Sequence, residues 1–303
     1  MKPRILIVLS FLFLILLAGC TNNSPAETES PTIPSGTQEP VPPTEPAATT
    51  PTSLPMALVV NGEGILLTEY EAELSRLQAA LAELEQEMSP EDQKTRVLDN
   101  FIDELLLAQA AVAAGHTVSD EDVQARIDQL VANLGSIEKL TEWQTTNFYT
   151  DESLRVALKR AITAAWQRDT LTEAVPAVAE QIHARQLFFK NEANAIAAQK
   201  QLETGIEFGT LAAQQDPTLG GDLGWFPRGM LTQPEVEEVV FTLQPGETSG
   251  IIASSLGYHI VNVLERDEDH PLSTEARLML QRETLANWLK DTRENSTIEI
   301  LVP

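Results

Sequence analysis

The sequence has few of the residues that most classes of binding site require. Its 303 residues include one cysteine and four histidines, and 20 Lys and Arg stand against 45 Asp and Glu, for a net charge of −25. One cysteine excludes a disulfide framework and a cysteine-rich zinc site, and the histidines have no metal-ligand spacing. The shortage of basic residues excludes most nucleic-acid-binding classes, because phosphate contacts require a basic surface. We therefore expect no metal, no cofactor and no nucleic-acid partner.

The single cysteine follows an N-terminal segment that is typical of an export signal. Two basic residues precede a nearly unbroken apolar run at 5–17, which is short for a membrane span. Leu17-Ala18-Gly19-Cys20 comes next and is similar to the bacterial lipobox, which implies acylation of Cys20 and cleavage before it. An ordinary signal peptide, or an uncleaved anchor with an incidental cysteine, is the alternative. The sequence thus predicts a lipoprotein signal peptide over 1–20.

Residues 21–55 have the composition of a tether. They contain nine prolines, many Thr and Ser, four Glu and no Lys or Arg. Such a segment cannot bury enough apolar surface to offset its ordering entropy, and it extends by up to ~3.1 Å per residue where it is polyproline-like. Removing Lys2 and Arg4 with the signal changes the net charge from −25 to −27. We expect an extracytoplasmic protein, anchored by lipid to the cell membrane or, in a host with two membranes, to a periplasmic face. Its acidic body would be repelled by anionic lipid.

The periodicity after residue 56 predicts an α+β fold. A strand is predicted at 57–60, and it ends in the turn Asn61-Gly62. A capping box formed by Thr68 and Glu71 is predicted to begin the first helix. Further helical stripes continue to about residue 166. The later predicted elements are a strand at 182–189, helices at 193–204 and 207–214, a glycine-rich turn at 220–224, a strand at 258–264, a helix at 273–292 and a strand at 298–302.

Three motifs in the second half of the chain resemble parvulin-type peptidyl-prolyl isomerases, in the family's order and near its spacing. They are Gly221-Asp222-Leu223-Gly224-Trp225-Phe226, Phe241-Thr242-Leu243-Gln244-Pro245-Gly246-Glu247-Thr248-Ser249 and Gly257-Tyr258-His259-Ile260. The flanking segments resemble SurA/PrsA-type extracytoplasmic foldases, through Val59-Val60-Asn61-Gly62 and Ser119-Asp120-Glu121-Asp122-Val123.

The resemblance implies a division of the chain into domains. A helical SurA-like chaperone domain would span 56–178. A parvulin-like domain, a small antiparallel sheet with surrounding helices, would span 179–267. Residues 268–303 would form a C-terminal helix and strand that pack back on the N-terminal domain and complete it.

The resemblance also implies the chemistry and the clients. Parvulins rotate an X-Pro amide, whose barrier is ~18–20 kcal/mol, and they break no bond, so no nucleophile is needed. A dry pocket for the proline ring and polar groups that favour the twisted amide suffice. The clients would be unfolded or folding exported polypeptides with X-Pro segments.

The candidate site residues follow from the motifs. His259 stands at the histidine of the family's last strand, and Gln186 stands where the family has a second histidine. Glutamine hydrogen-bonds but takes no protonation role, and His183 points to the opposite strand face unless a bulge intervenes. Asp216 is the candidate for the polar residue that faces the substrate amide, with a turn role as the alternative. The substrate-binding candidates are Leu223, Leu231, Val236, Phe241 and Ser254.

Two departures from the family pattern keep other functions open. Gln186 removes a histidine and Val236 replaces an aromatic, so the sequence predicts weak isomerase activity. A holdase chaperone with a degenerate parvulin domain is the alternative, in which His259 is a core histidine. A surface lipoprotein that uses the domain as a scaffold is a third hypothesis.

Overall fold

The structure is a computed structural model that describes residues 54–302. The predicted signal peptide, Cys20 and the tether up to residue 53 lie outside the described residues. Within the described range, no helix combines the length and the apolar character that crossing a membrane requires.

The chain begins with a hairpin that leads into helices. The elements are β1 (Met56–Val60), β2 (Glu63–Leu66), α1 (Leu67–Glu83), α2 (Pro90–Ala113), α3 (Asp120–Leu134), α4 (Ile137–Thr146) and α5 (Asp151–Glu173). The turn predicted at Asn61-Gly62 is present, with positive φ at both residues. Helix α4 was not among the elements that the sequence predicts.

The predicted capping box of the first helix is wrong. Helix α1 has Leu66 as its N-cap, with no side-chain cap hydrogen bond. Strand β2 runs directly into the helix, and the amide of Leu67 donates to the carbonyl of Pro55 at 2.9 Å. The hairpin therefore sets where α1 begins. By contrast, Ser119 and Asp122 do form a capping box at the start of α3.

A four-stranded antiparallel sheet follows. Its elements are β3 (Val178–Phe189), α6 (Glu192–Glu203), α7 (Phe208–Gln215), β4 (Asp222–Pro227), α8 (Pro234–Val240), β5 (Ile252–Ala253) and β6 (Tyr258–Pro271), with the strand order β4-β3-β6-β5. Both long strands extend beyond their predicted ranges. The predicted glycine-rich turn is only partly a turn, because its last three residues begin β4.

Alternation along β3 gives the sheet two apolar faces. Ile182 and Ala184 pack with the α8 residues Val236 and Val240 on one face. Leu187 packs against α6 and α7 on the other. The sheet and these three helices are called the sheet region below.

The last two elements return to the first part of the chain. Helix α9 (Thr274–Glu294) brings Leu285, Trp288 and Leu289 against Leu107 of α2 and Ala164 of α5. Strand β7 (Ile298–Ile300) pairs with β1, giving a second sheet of order β2-β1-β7. The predicted α+β fold, with a C-terminal helix that packs back, is confirmed. The hairpin, α1–α5, α9 and β7 are called the helical region.

Two neighbouring segments join the regions. The amide of Leu272 donates to the carbonyl of Ala177 at 2.9 Å. Gln181, which is 1% exposed, donates to the carbonyls of His270 at 2.8 Å and Pro271 at 3.2 Å. The entry and exit of the sheet region are thus hydrogen-bonded to each other rather than free.

Candidate active site

Strands β3 and β6 place two polar side chains on one face of the sheet. Gln186 pairs with Val261, and Phe188 pairs with His259. Gln186 and His259 are therefore diagonal neighbours, a separation that longer side chains can bridge. Both lie on the face that carries Ala184, Val261 and α8.

These residues form a hydrogen-bonded network with Ser254. Nδ1 of His259 lies 3.2 Å from Oε1 of Gln186, and Nε2 lies 2.8 Å from Oγ of Ser254. An amide oxygen only accepts, so Nδ1 carries the ring proton and Nε2 accepts from the serine hydroxyl. The Ser254 oxygen in turn accepts from the amide of Leu256 at 3.2 Å. Both ring nitrogens of His259 and the hydroxyl of Ser254 thereby have partners of the right kind.

The network is uncharged at neutral pH. His259 is 3% exposed, and burial lowers the pKa of its ring, against the opposing charge of Glu235. The ring of Phe188 lies with its centroid 5.0 Å from that of His259. A neutral imidazole held between two neutral partners is therefore the stable form.

The predicted substrate-binding side chains other than Ser254 meet in one apolar cluster. Val236 and Phe241 are 2% and 3% exposed and form its interior. Leu223 and Leu231 pack on the cluster and remain partly accessible. The structure thus brings together these four predicted residues on the sheet face of His259, and Ser254 is linked to that face through its hydrogen bond to the ring.

Asp216 lies in a different arrangement. It is the C-cap of α7, and its carboxylate accepts from the amides of Thr218 and Leu219 at 3.1 Å each and of Gly221 at 3.4 Å. These backbone hydrogen bonds, that of Leu219 above all, lower the pKa of Asp216. Its hydrogen bonds are to this turn and not to His259.

The turn held by Asp216 lies directly against Gln186. The amide of Gln186 donates to the carbonyl of Gly221 at 2.8 Å. Gly221 has φ +69°, and a Cβ there would lie 2.1 Å from the carbonyl oxygen of Gln186. Only glycine allows this approach. Asp216 is therefore connected to Gln186 through the backbone of the turn that it holds, and not by its own side chain.

His183 does not replace the missing histidine. The strand has a bulge beside it, at His183/Ala184. Even so, Nε2 of His183 lies 2.8 Å from Oδ1 of Asp222, and its ring lies 5.6 Å from that of Trp225. Trp225 also stacks on His270 at 4.0 Å. His183 therefore belongs to an aromatic group apart from the His259 network.

Several residues around the site were missed by the sequence analysis. Phe188 could have been found, since it is two residues beyond Gln186 on the same strand. Met230 packs on the apolar cluster, and the guanidinium of Arg228 lies 4.1 Å above the ring of Phe241. Gln215 holds the backbone of Phe188, accepting from its amide at 3.0 Å. No sequence signal marks these last three residues, which lie in loops or at a helix end.

No cluster of three or more His, Cys, Asp or Glu residues able to hold a metal ion occurs among residues 54–302. The arrangement instead offers an apolar cluster beside a neutral hydrogen-bonding network.

Two known domain families match parts of this chain. Residues 173–265 match the PPIC-type PPIase domain family, the rotamases. The sheet region is a PPIC-type isomerase domain. Residues 50–152 match the SurA-like N-terminal domain family, so the isomerase domain follows a SurA-like N-terminal domain.

Proteins named foldase protein PrsA and chaperone SurA are similar to this chain. The foldase protein PrsA of Oceanobacillus iheyensis is 28% identical over 203 residues, covering 62% of this chain and 68% of that protein. The PrsA of Geobacillus kaustophilus is 28% identical over 215 residues, covering 68% and 74%. The chaperone SurA of Thiobacillus denitrificans is 29% identical over 141 residues, covering 40% and 32%.

A solved structure is also similar to this chain. The crystal structure of the peptidylprolyl isomerase PrsA from Bacillus cereus has a TM-score of 0.45 and 19% sequence identity, covering 80% of this chain and 88% of that one.

Proposed function

We propose that this protein is an extracytoplasmic foldase whose isomerase domain acts on X-Pro bonds of exported polypeptides, and that lipid on Cys20 anchors it to a membrane. The proposed domain limits are those that the sequence predicts, 56–178, 179–267 and 268–303. The names of its relatives, foldase and chaperone, support a client that is an unfolded polypeptide.

One observation carries the site assignment: the His259 network and the apolar cluster share a face of the sheet. Leu223 and Leu231 would contact the proline ring over the interior formed by Val236 and Phe241. His259, Gln186 and Ser254 would place polar atoms beside the amide. A site that favours the twisted amide over the planar one lowers a barrier that otherwise takes ~10–100 s to cross at 25 °C.

The two residues that depart from the family pattern still contribute to the site, and their contacts support catalysis over a purely holding role. Gln186 makes the hydrogen bond to His259 that orients the ring. Val236 is fully packed among its neighbours, at 2% exposure. Asp216 would act through the turn that it holds against Gln186 rather than on the substrate.

Isomerisation is tested with the full chain purified in detergent. The relaxation of X-Pro tetrapeptides from cis to trans should be faster than in buffer, and His259→Ala should remove most of the acceleration. Suppression of client aggregation is measured in the same preparation. Aggregation suppressed without any acceleration would support the holdase instead, and neither effect would favour the scaffold.

The anchor has a separate test. Cells that express the unmodified chain should incorporate labelled fatty acid into it, and Cys20→Ala should abolish the label. A label that persists in Cys20→Ala would contradict the lipid anchor without touching the isomerase proposal.

A further inference from the structure

The loop between β4 and α8 carries part of the apolar cluster. Met230 and Leu231 extend from this loop and pack against Val236 and Phe241. Leu231 is a residue to which we assign contact with the proline ring. Its position depends on a short segment, 228–233, that belongs to no helix or strand.

The backbone of this loop adopts a conformation at Gly229 that favours glycine. Gly229 has φ +84°, and a Cβ there would lie 2.5 Å from the carboxylate oxygen Oε2 of Glu283 on α9. Positive φ favours glycine. The backbone therefore turns sharply just before Met230 and Leu231.

One carboxylate on α8 holds this turn. Oε1 of Glu237 accepts from the amide of Gly229 at 2.8 Å, and Oε2 accepts from the amide of Leu231 at 3.1 Å. A carboxylate has acceptor capacity on both oxygens and can bind two donors at once. Bonds to a charged acceptor are also stronger than neutral ones. The amides on either side of Met230 are thus fixed to a single side chain.

We propose that Glu237 is a positioning residue for isomerisation, which sets the affinity for proline by fixing Leu231 against the apolar cluster. The role rests on the proposed function of the site. Glu237 makes no hydrogen bond to His259, Gln186 or Ser254, so its effect should fall on substrate binding. An interaction that serves ground state and transition state equally changes KM and leaves kcat nearly unchanged.

The same helix supplies a matched control. Glu238 is exposed, is next in sequence, and carries the same charge. Glu237→Gln keeps one acceptor but presents an NH2 group to the second amide, so one of the two bonds is lost. Glu238→Gln removes an equal charge without touching the loop. Glu235 is unsuitable as a control because its charge acts on His259.

The experiment measures kcat and KM for an X-Pro tetrapeptide with the full chain in detergent. Glu237→Gln should raise KM at least fivefold, with kcat changed by less than twofold, and Glu238→Gln should match the unmodified protein. Hydrogen exchange at the amides of Gly229 and Leu231 should accelerate in Glu237→Gln alone. Unchanged KM, or a change confined to kcat, would overturn the positioning role.

A double-mutant cycle with Leu231→Ala separates positioning from general destabilisation. If Glu237 acts through Leu231, the double variant should have nearly the KM of Leu231→Ala, since the two effects are not independent. KM increases that multiply would overturn the proposal. If the unmodified protein does not accelerate isomerisation at all, the proposed function is contradicted. If it does accelerate isomerisation but the two KM increases multiply, only the role of Glu237 is contradicted.

Discussion

Arg160 in the helical region, whose side chain is 11% exposed, and His259 in the isomerase domain, which is 3% exposed, have partners that differ in charge. Arg160 of α5 lies 2.5 Å from Glu69 of α1 and 2.9 Å from Glu104 of α2. His259 lies between Gln186 and Ser254, both neutral. The first arrangement ties three helices together by charge, and the second holds a ring by neutral hydrogen bonds.

The difference in charge follows from the different roles of a helix junction and a substrate pocket. A buried ion pair is stable only while both partners are present, because each charge has lost its hydration. That suits a junction of helices that stays closed. A pocket that must exclude water and admit a neutral amide is better served by neutral groups, since an unpaired charge there would be costly.

The largest expected effect comes from breaking the charged arrangement. Arg160→Met leaves two carboxylates near each other without a cation, and we expect the free energy of unfolding to fall by about 3–5 kcal/mol. Urea unfolding at pH 7 measures it. Lys139→Met is the control, because its pair with Glu142 is 60% and 66% exposed and should contribute nothing measurable. A loss for Arg160→Met no larger than the control's would refute the contrast.

A smaller effect is expected from breaking the neutral arrangement. Gln186→Leu leaves the Nδ1–H of His259 without its acceptor, which should cost about 1–3 kcal/mol of stability. The ring would also lose its orientation, so isomerisation should slow. Gln214→Leu, on the exposed surface of α7, is the matched control in both measurements. Activity equal to that of the control would mean that Gln186 does not orient His259.

The smallest effect is a pH dependence of opposite sign in the two regions. Burial lowers the pKa of His259, so below about pH 6.5 the unfolded chain takes up a proton that the folded chain does not. The stability that the neutral ring of His259 contributes is complete above about pH 6.5, and it is lost as the pH falls towards the folded pKa. Burial raises the pKa of Glu104, opposed by Arg160, so its contribution is lost as the pH rises above the unfolded value.

Unfolding of His259→Gln across pH 4.5 to 7 tests this sign. The stability advantage of the unmodified protein over His259→Gln should shrink as the pH falls below about 6.5. For Glu104→Gln, the stability relative to the unmodified protein should instead fall as the pH decreases. Parallel curves for the unmodified protein and His259→Gln would show that folding does not lower the pKa of the ring.

Local signals predicted much of the helical region. Ser119 and Asp122 cap α3 because the box needs only four consecutive residues. Thr68 and Glu71 have the same pattern and fail, because a hairpin closed by Pro55 and Leu67 fixes the start of α1. Helix α4 was missed, since its amphipathic stripe is short and Ser136 is a cap of ordinary type.

The motifs of the isomerase domain identified residues but not their contacts. Leu223, Leu231, Val236 and Phe241 were predicted as a pocket and do meet in one cluster. The sequence left Asp216 between a catalytic role and a turn role, and its contacts are those of a turn. Glu237 carried no signal, because its two partners precede it by eight and six residues in an irregular loop.

The sequence by itself determined the scarcity of cysteine and basic residues, the helical stripes and the three motifs, since each depends on residue type and short spacing. The lipid anchor at Cys20 stays a prediction from that same evidence. Only the tertiary structure decided that Oε1 of Gln186 meets a ring 73 residues later, and that Arg160 meets Glu69 across 91 residues. Strand register and helix packing bring such groups together, and neither can be read from residues that are neighbours in the chain.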